Sequence, residues 1–299
     1  MKTILSLLLC ALVSSTNARA ANIAWVSFHA GDNSPGSGAA GLGFTQAPDI
    51  GYTQLLSANG HTVTRFVTKN DPTQADADFL NGFDLVIIGR SVDSANYQQG
   101  NELAFWHNTI TRPVINMSGY TLRNSRLGFT TGATIPDTAG TVGLEALVPS
   151  HPIFNGVALG AGNIMVNSFA GIQTFGTNIQ RGISVNTDPL AGGGTVLARV
   201  ATAGDPTLNG MVIGEWLAGA TIYGTNTLSN KRLVFLSGSR EHAATPTSSQ
   251  IAGIYDLSAD GQLMFLNAVT YMASPVPEPS TYLLLGFGAL ALLWRWKRS

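Results

Sequence analysis

The chain has 299 residues, enough for one large domain or two small ones with a sizeable hydrophobic core, and we expect one α/β domain. Charged residues make up 11% of the composition, well under the roughly 25% usual for soluble proteins. The formal net charge is -1, and no block of basic residues precedes the C-terminal tip. The chain therefore lacks the positive field that neutralises phosphates, which excludes nucleic acid as a partner.

Residues 1–20 have the pattern of a secretory signal peptide. Lys2 supplies the charged start, residues 4–13 form an apolar stretch, and Ala18-Arg19-Ala20 fits a small-x-small cleavage site. The single cysteine, Cys10, lies inside this segment, and Leu9 before it disfavours lipidation. A mature chain starting at Ala21 would have no disulfide, no thiolate metal ligand and no cysteine nucleophile.

Residues 21–274 alternate strand-like and helix-like segments, which predicts a flavodoxin-like, mostly parallel sheet with helices on both faces. "DLVIIG" (84–89) is typical of a strand buried on both faces. Residues 130–195 show no clear pattern, and either insertions or antiparallel strands would fit this segment. The other predicted strands are "NIAWVSF", "HTVTRFV", "PVINMS", "GMVIGEW" and "RLVFLSG", and the predicted helices cover residues 50–60, 97–109 and 261–272.

"GSGAAG" (36–41) fits the spacing GxGxxG after the first strand. A dinucleotide site needs a helix to begin at these glycines so that its N-terminus meets the pyrophosphate. Here the next helix is predicted beyond Pro48, so a flexible surface loop is the favoured interpretation.

Residues 275–299 form a separate C-terminal segment. Residues 282–294 are apolar without interruption but short for a bilayer core. Trp294 and Trp296 could supply an aromatic belt, and Arg295, Lys297 and Arg298 a cytoplasmic cluster, which predicts a C-terminal transmembrane anchor with the body outside.

This tail closely resembles the PEP-CTERM sorting signal of Gram-negative bacteria. The motif residues are Val276, Pro277, Glu278 and Pro279, followed by Ser280, the short apolar helix and the basic tip. The resemblance implies processing by a membrane exosortase in cells that make exopolysaccharide. It further implies retention at the inner membrane, followed by transfer to the cell surface or the extracellular matrix.

The body resembles the ThuA-like and class I glutamine amidotransferase-like proteins. The segments that carry this resemblance are "GYTQLLSANGHTVTR", "DLVIIGRSVDS", "HPIFNGV", "KRLVFLSGSREHA" and "GQLMFLNAVTYMAS". In that family a cysteine nucleophile sits on a tight turn after a strand, and "PVINMSGY" places Ser118 there, with Asn116 and Tyr120 in place of glycines. The usual His-x-Glu is replaced by "GSREH". The resemblance therefore implies a catalytically degenerate domain, because no thiolate is available for glutaminase chemistry.

Ser118 remains a candidate nucleophile for a different reaction. A serine needs a base within hydrogen-bond reach and an acid that orients the base, and His242 with Glu241 or Asp93 are the candidates. The alternative is that Ser118 only occupies a tight turn and that His242 is a loop residue. An activated Ser118 would make the protein a serine-dependent hydrolase or a carbohydrate-processing enzyme.

Four arginines follow predicted strands or the "PVINMS" segment. They are Arg90, Arg123, Arg126 and Arg240. The carboxyl ends of the strands form the ligand crevice of an open α/β sheet, so these side chains could converge on a carboxylate, a sulfate or an acidic sugar. The alternative is surface ion pairing with Asp84, Asp93 or Glu102.

No metal or cofactor is predicted, because the histidines are scattered and show neither HxH nor HExxH spacing. The favoured hypothesis is an exported, envelope-anchored module that binds a small or polymeric ligand, with exopolysaccharide as the prospective polymer.

Overall fold

The computed structural model describes residues 20–98, 100–222, 226–243 and 248–274. The main sheet has eight strands in the order β2-β1-β3-β4-β10-β9-β8-β5, and a separate two-stranded sheet pairs β6 with β7. The strands are β1 (Asn22–Ser27), β2 (Thr62–Val67), β3 (Leu85–Ile88), β4 (Val114–Asn116), β5 (Leu144–Ala146), β6 (Thr174–Phe175), β7 (Asn178–Ile179), β8 (Thr195–Val200), β9 (Met211–Trp216) and β10 (Arg232–Phe235). The α-helices are α1 (Ser37–Ala40), α2 (Ile50–Ala58), α3 (Gln74–Leu80), α4 (Asn101–Ala104) and α5 (Ala259–Ala273).

The first five strands of the order are parallel, from β2 through β10. Their order, with β1 between β2 and β3, is the flavodoxin-like arrangement. Strand β3 lies between β1 and β4, and all four of its residues are buried. A run of Leu, Val and Ile is what such a central position requires, so the predicted α/β class and mostly parallel sheet are confirmed.

The far side of the sheet is antiparallel. Strand β9 runs opposite to β10, β8 opposite to β9, and β5 opposite to β8. The sequence placed "GMVIGEW" in the parallel alternation, and the structure corrects this direction. The correction has a structural reason: no helical crossover lies between β9 and β10 among the described residues, and parallel neighbours need one.

Helix α5 packs against the central strands β3 and β4. Its Phe265 ring lies 5.6 Å from the Tyr52 ring of α2, and Tyr52 lies 5.8 Å from Trp25 of β1. Ser258 caps α5, since its Oγ accepts a hydrogen bond from the Gly261 N–H. The helix therefore begins two residues before the predicted 261 and ends one residue after the predicted 272.

The predicted helix over residues 97–109 is wrong in its first part. Residues Ser94–Tyr97 form a 3₁₀ turn, α4 begins only at Asn101, and a turn of π-helix covers Phe105–Thr109. Gly100 has a φ of 121°, which an α-helix does not tolerate. This glycine separates the two helical pieces.

Arg232, at the start of β10, is a buried cation held by carbonyl groups. Its guanidinium donates hydrogen bonds to the carbonyls of Ile110 at 2.8 Å, Trp106 at 3.0 Å and Arg112 at 3.0 Å. Burial lowers the pKa of Arg232 to about 9. These bonds tie the end of the π-helical turn to the central sheet.

Two predicted segments lie outside the described residues. They are the sorting signal at 275–299 and, apart from Ala20, the signal peptide. Within the four described ranges, no helix combines the length and the hydropathy needed to span a bilayer.

Candidate functional site

The turn after β4 is built by hydrogen bonds from Asn116. Its side-chain Oδ1 accepts from the Ser118 N–H at 3.0 Å, and its amide donates to Thr121 Oγ1 at 2.7 Å. Thr121 Oγ1 in turn donates to the Ser118 carbonyl at 2.8 Å. This network sets the short 3₁₀ turn Gly119–Thr121 and fixes the position of Tyr120 beyond the strand.

Three arginines surround the ring of Tyr120. The guanidinium carbons lie 4.6 Å (Arg240), 5.2 Å (Arg90) and 5.4 Å (Arg123) from the ring centroid. Cation–π contacts of this kind hold a guanidinium group without neutralising it. Three of the four arginines predicted from the sequence therefore meet at one side chain.

A fourth arginine and two carboxylates complete what we call the arginine cluster, namely Arg90, Arg123, Arg181, Arg240, Tyr120, Asp137 and Glu241. Arg181 and Arg240 each approach Glu241 Oε1 at 3.3 Å. They also approach Asp137 Oδ2, at 3.6 and 3.3 Å. Four guanidinium groups and two carboxylates leave the cluster with a net positive charge.

Arg90 is the most deeply placed member. It is 4% exposed, and its nearest carboxylate atom, Glu241 Oε2, lies 3.7 Å from Nη2, which is too far for a hydrogen bond. Its Nε makes no hydrogen bond within the described part of the chain. Burial lowers the pKa of Arg90, and Glu241 opposes this shift. Arg90 is thus a buried cation with unused hydrogen-bonding capacity.

Gly238 makes room for Arg90. This residue follows β10, has a φ of 84°, and a Cβ added there would lie 3.0 Å from Arg90 Cβ. Both the left-handed backbone and the close approach require glycine. The loop after β10 therefore closes directly over the arginine.

Arg123 and Arg126 lie at the outer side of the cluster. Arg123 donates to the Tyr120 carbonyl at 2.9 Å and to Ser94 Oγ at 2.8 Å. Burial and the neighbouring charge of Arg126 lower the pKa of Arg123. Arg126 donates to the Ser125 carbonyl, and it is not among the arginines over the Tyr120 ring.

The Ser118 hydroxyl is fully buried and makes no hydrogen bond within the described residues. His242 and Glu241 follow β10 in the same region, but neither is hydrogen bonded to it, and Glu241 is engaged by arginines. The Ser118 backbone has φ -100° and ψ 112°, which is ordinary extended geometry. A nucleophile elbow is instead a sharp, strained turn.

A second serine and histidine pair, missed from the sequence, occurs at the ends of β1 and β3. His29 Nε2 lies 3.0 Å from Ser91 Oγ. The Gly36 N–H donates to His29 Nδ1 at 2.9 Å, so the proton is on Nε2 and His29 donates to the serine. The Ser91 hydroxyl donates a hydrogen bond to the Gln250 carbonyl at 3.2 Å. This pair is a satisfied structural network without a free base.

The glycine-rich stretch 36–41, predicted as a loop, contains the short helix α1. Gln250 Oε1 accepts from the Gly38 N–H at 2.7 Å and the Ala39 N–H at 3.3 Å. Those are the groups that a phosphate would need. The side chain of Gln250 occupies this position.

Sequence reasoning missed Tyr120, Asp137 and Arg181 as members of the cluster. Asp137 and Arg181 belong to the segment between residues 130 and 195, which carries no regular pattern. No group of three or more histidine, cysteine, aspartate or glutamate side chains that could hold a metal occurs among the described residues.

These observations define an α/β protein with an open, mostly parallel sheet and a positively charged site beyond the carboxyl ends of its strands. Residues 275–298 match the PEP-CTERM protein-sorting motif. Proteins with this motif are processed by exosortase, a membrane protein, so the match supports export and a membrane-anchored C-terminal sorting signal.

The solved structures similar to this chain include the cytoplasmic protein STM3548 from Salmonella typhimurium. The two share 12% identity with a TM-score of 0.44, over 84% of this chain and 98% of that one. No curated protein matches the chain. The ThuA-like and amidotransferase-like resemblance is not confirmed by these comparisons and stays a prediction.

Proposed function

We propose that the exported domain is a binding module that holds an anionic group in the arginine cluster, with an acidic sugar of an exopolysaccharide as the prospective ligand. The observation that carries the proposal is the convergence of Arg90, Arg123 and Arg240 on Tyr120. Arg126, next to Arg123, would extend the positive surface. In this proposal the amidotransferase-like fold serves as a scaffold without its nucleophile.

The buried polar atoms near the strand ends support a ligand over simple ion pairing. Arg90 Nε, Ser118 Oγ and Ser239 Oγ are all buried without a hydrogen-bond partner among the described residues. Buried polar groups are normally satisfied, so three such atoms beyond neighbouring strands favour a site that takes up a polar group. A guanidinium fork binds a carboxylate through two parallel hydrogen bonds.

The sorting signal supports an envelope setting for this binding. After processing, the domain would move from the inner membrane to the cell surface or the extracellular matrix. An acidic polysaccharide at that location would present many carboxylates to one domain. The positive charge of the cluster would hold such a polymer, and the binding would weaken with salt.

Calorimetric titration of residues 21–274 tests the proposal. The ligands are an oligomer of a uronic acid and a neutral oligosaccharide of equal length. We expect Arg123→Gln and Arg240→Gln to weaken uronate binding roughly ten- to a hundredfold, because a charge-assisted hydrogen bond contributes about 1.5 to 3 kcal/mol.

Arg199→Gln is the matched control, since Arg199 pairs with Glu145 at 2.8 Å between β8 and β5. Its binding should equal that of the wild type. Equal affinity for the neutral and the acidic oligomer, or equal losses in all three variants, would contradict an anion site.

The alternative function is hydrolysis by Ser118. It requires a base to reach the serine, and the observed Ser118 hydroxyl has no hydrogen-bond partner among the described residues. Ester and glycoside substrates would be offered to the wild type and to Ser118→Ala. Turnover that disappears in Ser118→Ala would establish the enzyme, while a binding module would keep its affinity in that variant.

A further inference from the structure

The two ends of α5 lie at opposite ends of the sheet. Before the helix, Asp256 Oδ1 accepts from the N–H of Gly238, the residue beside Arg90, at 2.9 Å. Near the other end of the helix, Lys231 Nζ donates to the Tyr271 carbonyl at 2.8 Å, and Lys231 directly precedes β10. The helix has 15 residues, which corresponds to a length of about 22 Å. The chain therefore leaves the domain on the side away from the arginine cluster.

The sorting motif begins almost immediately after this exit. Helix α5 ends at Ala273, Ser274 caps it, and the matched motif starts at residue 275. Only residues 275–281 separate the domain from the apolar run predicted to start at residue 282. A fully extended chain of that length reaches about 25 Å at most. Such a short connection holds the domain close to the bilayer and limits its rotation.

The exit end also carries a loop without charged residues. Trp216 pairs with Arg232 at the start of β10, so the residues after β9 lie at this end. Leu217 is 65% exposed, and residues 217–220, Leu-Ala-Gly-Ala, carry no charge. Nonpolar side chains at the end nearest the anchor can enter the headgroup region at little cost.

We infer that this exit end is the membrane-facing surface of the anchored protein, with residues 217–220 at the lipid headgroups and the arginine cluster turned away from the bilayer. The inference rests on the membrane anchor implied by the sorting motif and does not depend on the ligand proposed above. While the anchor is intact, the binding site faces the aqueous space away from the bilayer.

The test uses the full chain in phospholipid vesicles that contain a nitroxide-labelled headgroup lipid. Cys10 is the only cysteine, so Cys10→Ser allows one thiol to be introduced and labelled with a fluorophore. The first label position is Ala218→Cys, and the second is Ser125→Cys, an exposed site beside Arg123. We expect a large loss of fluorescence at position 218 and little loss at position 125.

Two changes probe the cause of the difference. Leu217→Glu should reduce quenching at position 218, whereas Val166→Glu, at a 66% exposed position, should not. The Met165 N–H next to Val166 donates to the carbonyl of Leu144, which lies at the end of the sheet away from Trp216. A long glycine-serine insertion between residues 274 and 275 should also reduce quenching at position 218.

Equal quenching at positions 218 and 125 in floated vesicles would overturn the orientation alone. A chain that does not float with vesicles would overturn the inference together with the anchor. Neither result bears on ligand binding, which is measured on residues 21–274 in solution.

Discussion

Replacing Asp256 with asparagine should remove a pH dependence from the stability of the domain. Asp256 is fully buried, and its Oδ1 accepts from the Gly238 N–H and from the Tyr52 hydroxyl, both at 2.9 Å. Its Oδ2 has no hydrogen-bond partner within the described residues. Burial raises the pKa of Asp256 from 3.8 to about 7, although these hydrogen bonds and nearby Arg90 oppose the shift.

The direction of the effect follows from proton linkage. Between pH 3.8 and about 7 the folded Asp256 retains a proton that the unfolded chain has lost, so stability falls as the pH rises through this window. Each unit of pKa difference corresponds to about 1.4 kcal/mol. A pKa difference of about three units therefore corresponds to a loss of stability of at most about 4 kcal/mol. This loss is complete above pH 7.

Urea unfolding of wild-type and Asp256→Asn domains across this pH range measures the effect. An asparagine keeps one acceptor for Gly238 and Tyr52 but cannot ionise. We expect the stability difference between the two proteins to move in favour of Asp256→Asn from pH 4 to pH 7 and then to stay level. A stability difference that does not change with pH would show that the pKa of Asp256 is not raised in the folded protein.

Three further changes test the fold. Ile87→Asp should abolish soluble folding, because a buried unpaired carboxylate costs several kcal/mol out of a total stability of roughly 5 to 15, whereas Val67→Asp at a 45% exposed position should still unfold cooperatively. Arg232→Met should lower the free energy of unfolding by about 3 kcal/mol or more, since it orphans several buried carbonyls, and unchanged urea midpoints would refute this role. Gln250→Ala should speed amide hydrogen exchange over residues 36–41 through loss of about 1 kcal/mol of capping, and unaltered exchange there would count against the Gln250 contact.

The parallel half of the sheet could be predicted because its strands carry their own signal. The segment "DLVIIG" is apolar at every position from Leu85 to Ile88, as a strand buried on both faces must be. Strand β9 carries a similar signal, but its direction depends on the connection to β10, which local pattern does not encode. Gly100 is visible in the sequence, and its φ of 121° breaks the helix predicted over residues 97–109.

The site could be predicted only in part. Arg90 and Arg240 lie in the loops after the buried strands β3 and β10, so the rule that ligand crevices form at carboxyl strand ends was enough to place them together. Tyr120 was visible only as a departure from an expected glycine. Asp137 and Arg181 come from an irregular segment whose path is set by tertiary contacts. One of these is the antiparallel backbone bridge between Arg181 and Arg240.

Arginine side-chain NMR tests the proposed binding site most directly. In a domain with nitrogen-labelled arginines, a uronic acid oligomer would be titrated while the Nε–H signals are followed. We predict that the signals of Arg90, Arg123 and Arg240 shift together and saturate at one ligand concentration, while Arg199, paired with Glu145, does not move. Shifts that spread evenly over all arginines would contradict the proposed anion site. So would binding that leaves the Nε–H signals of the cluster arginines unchanged.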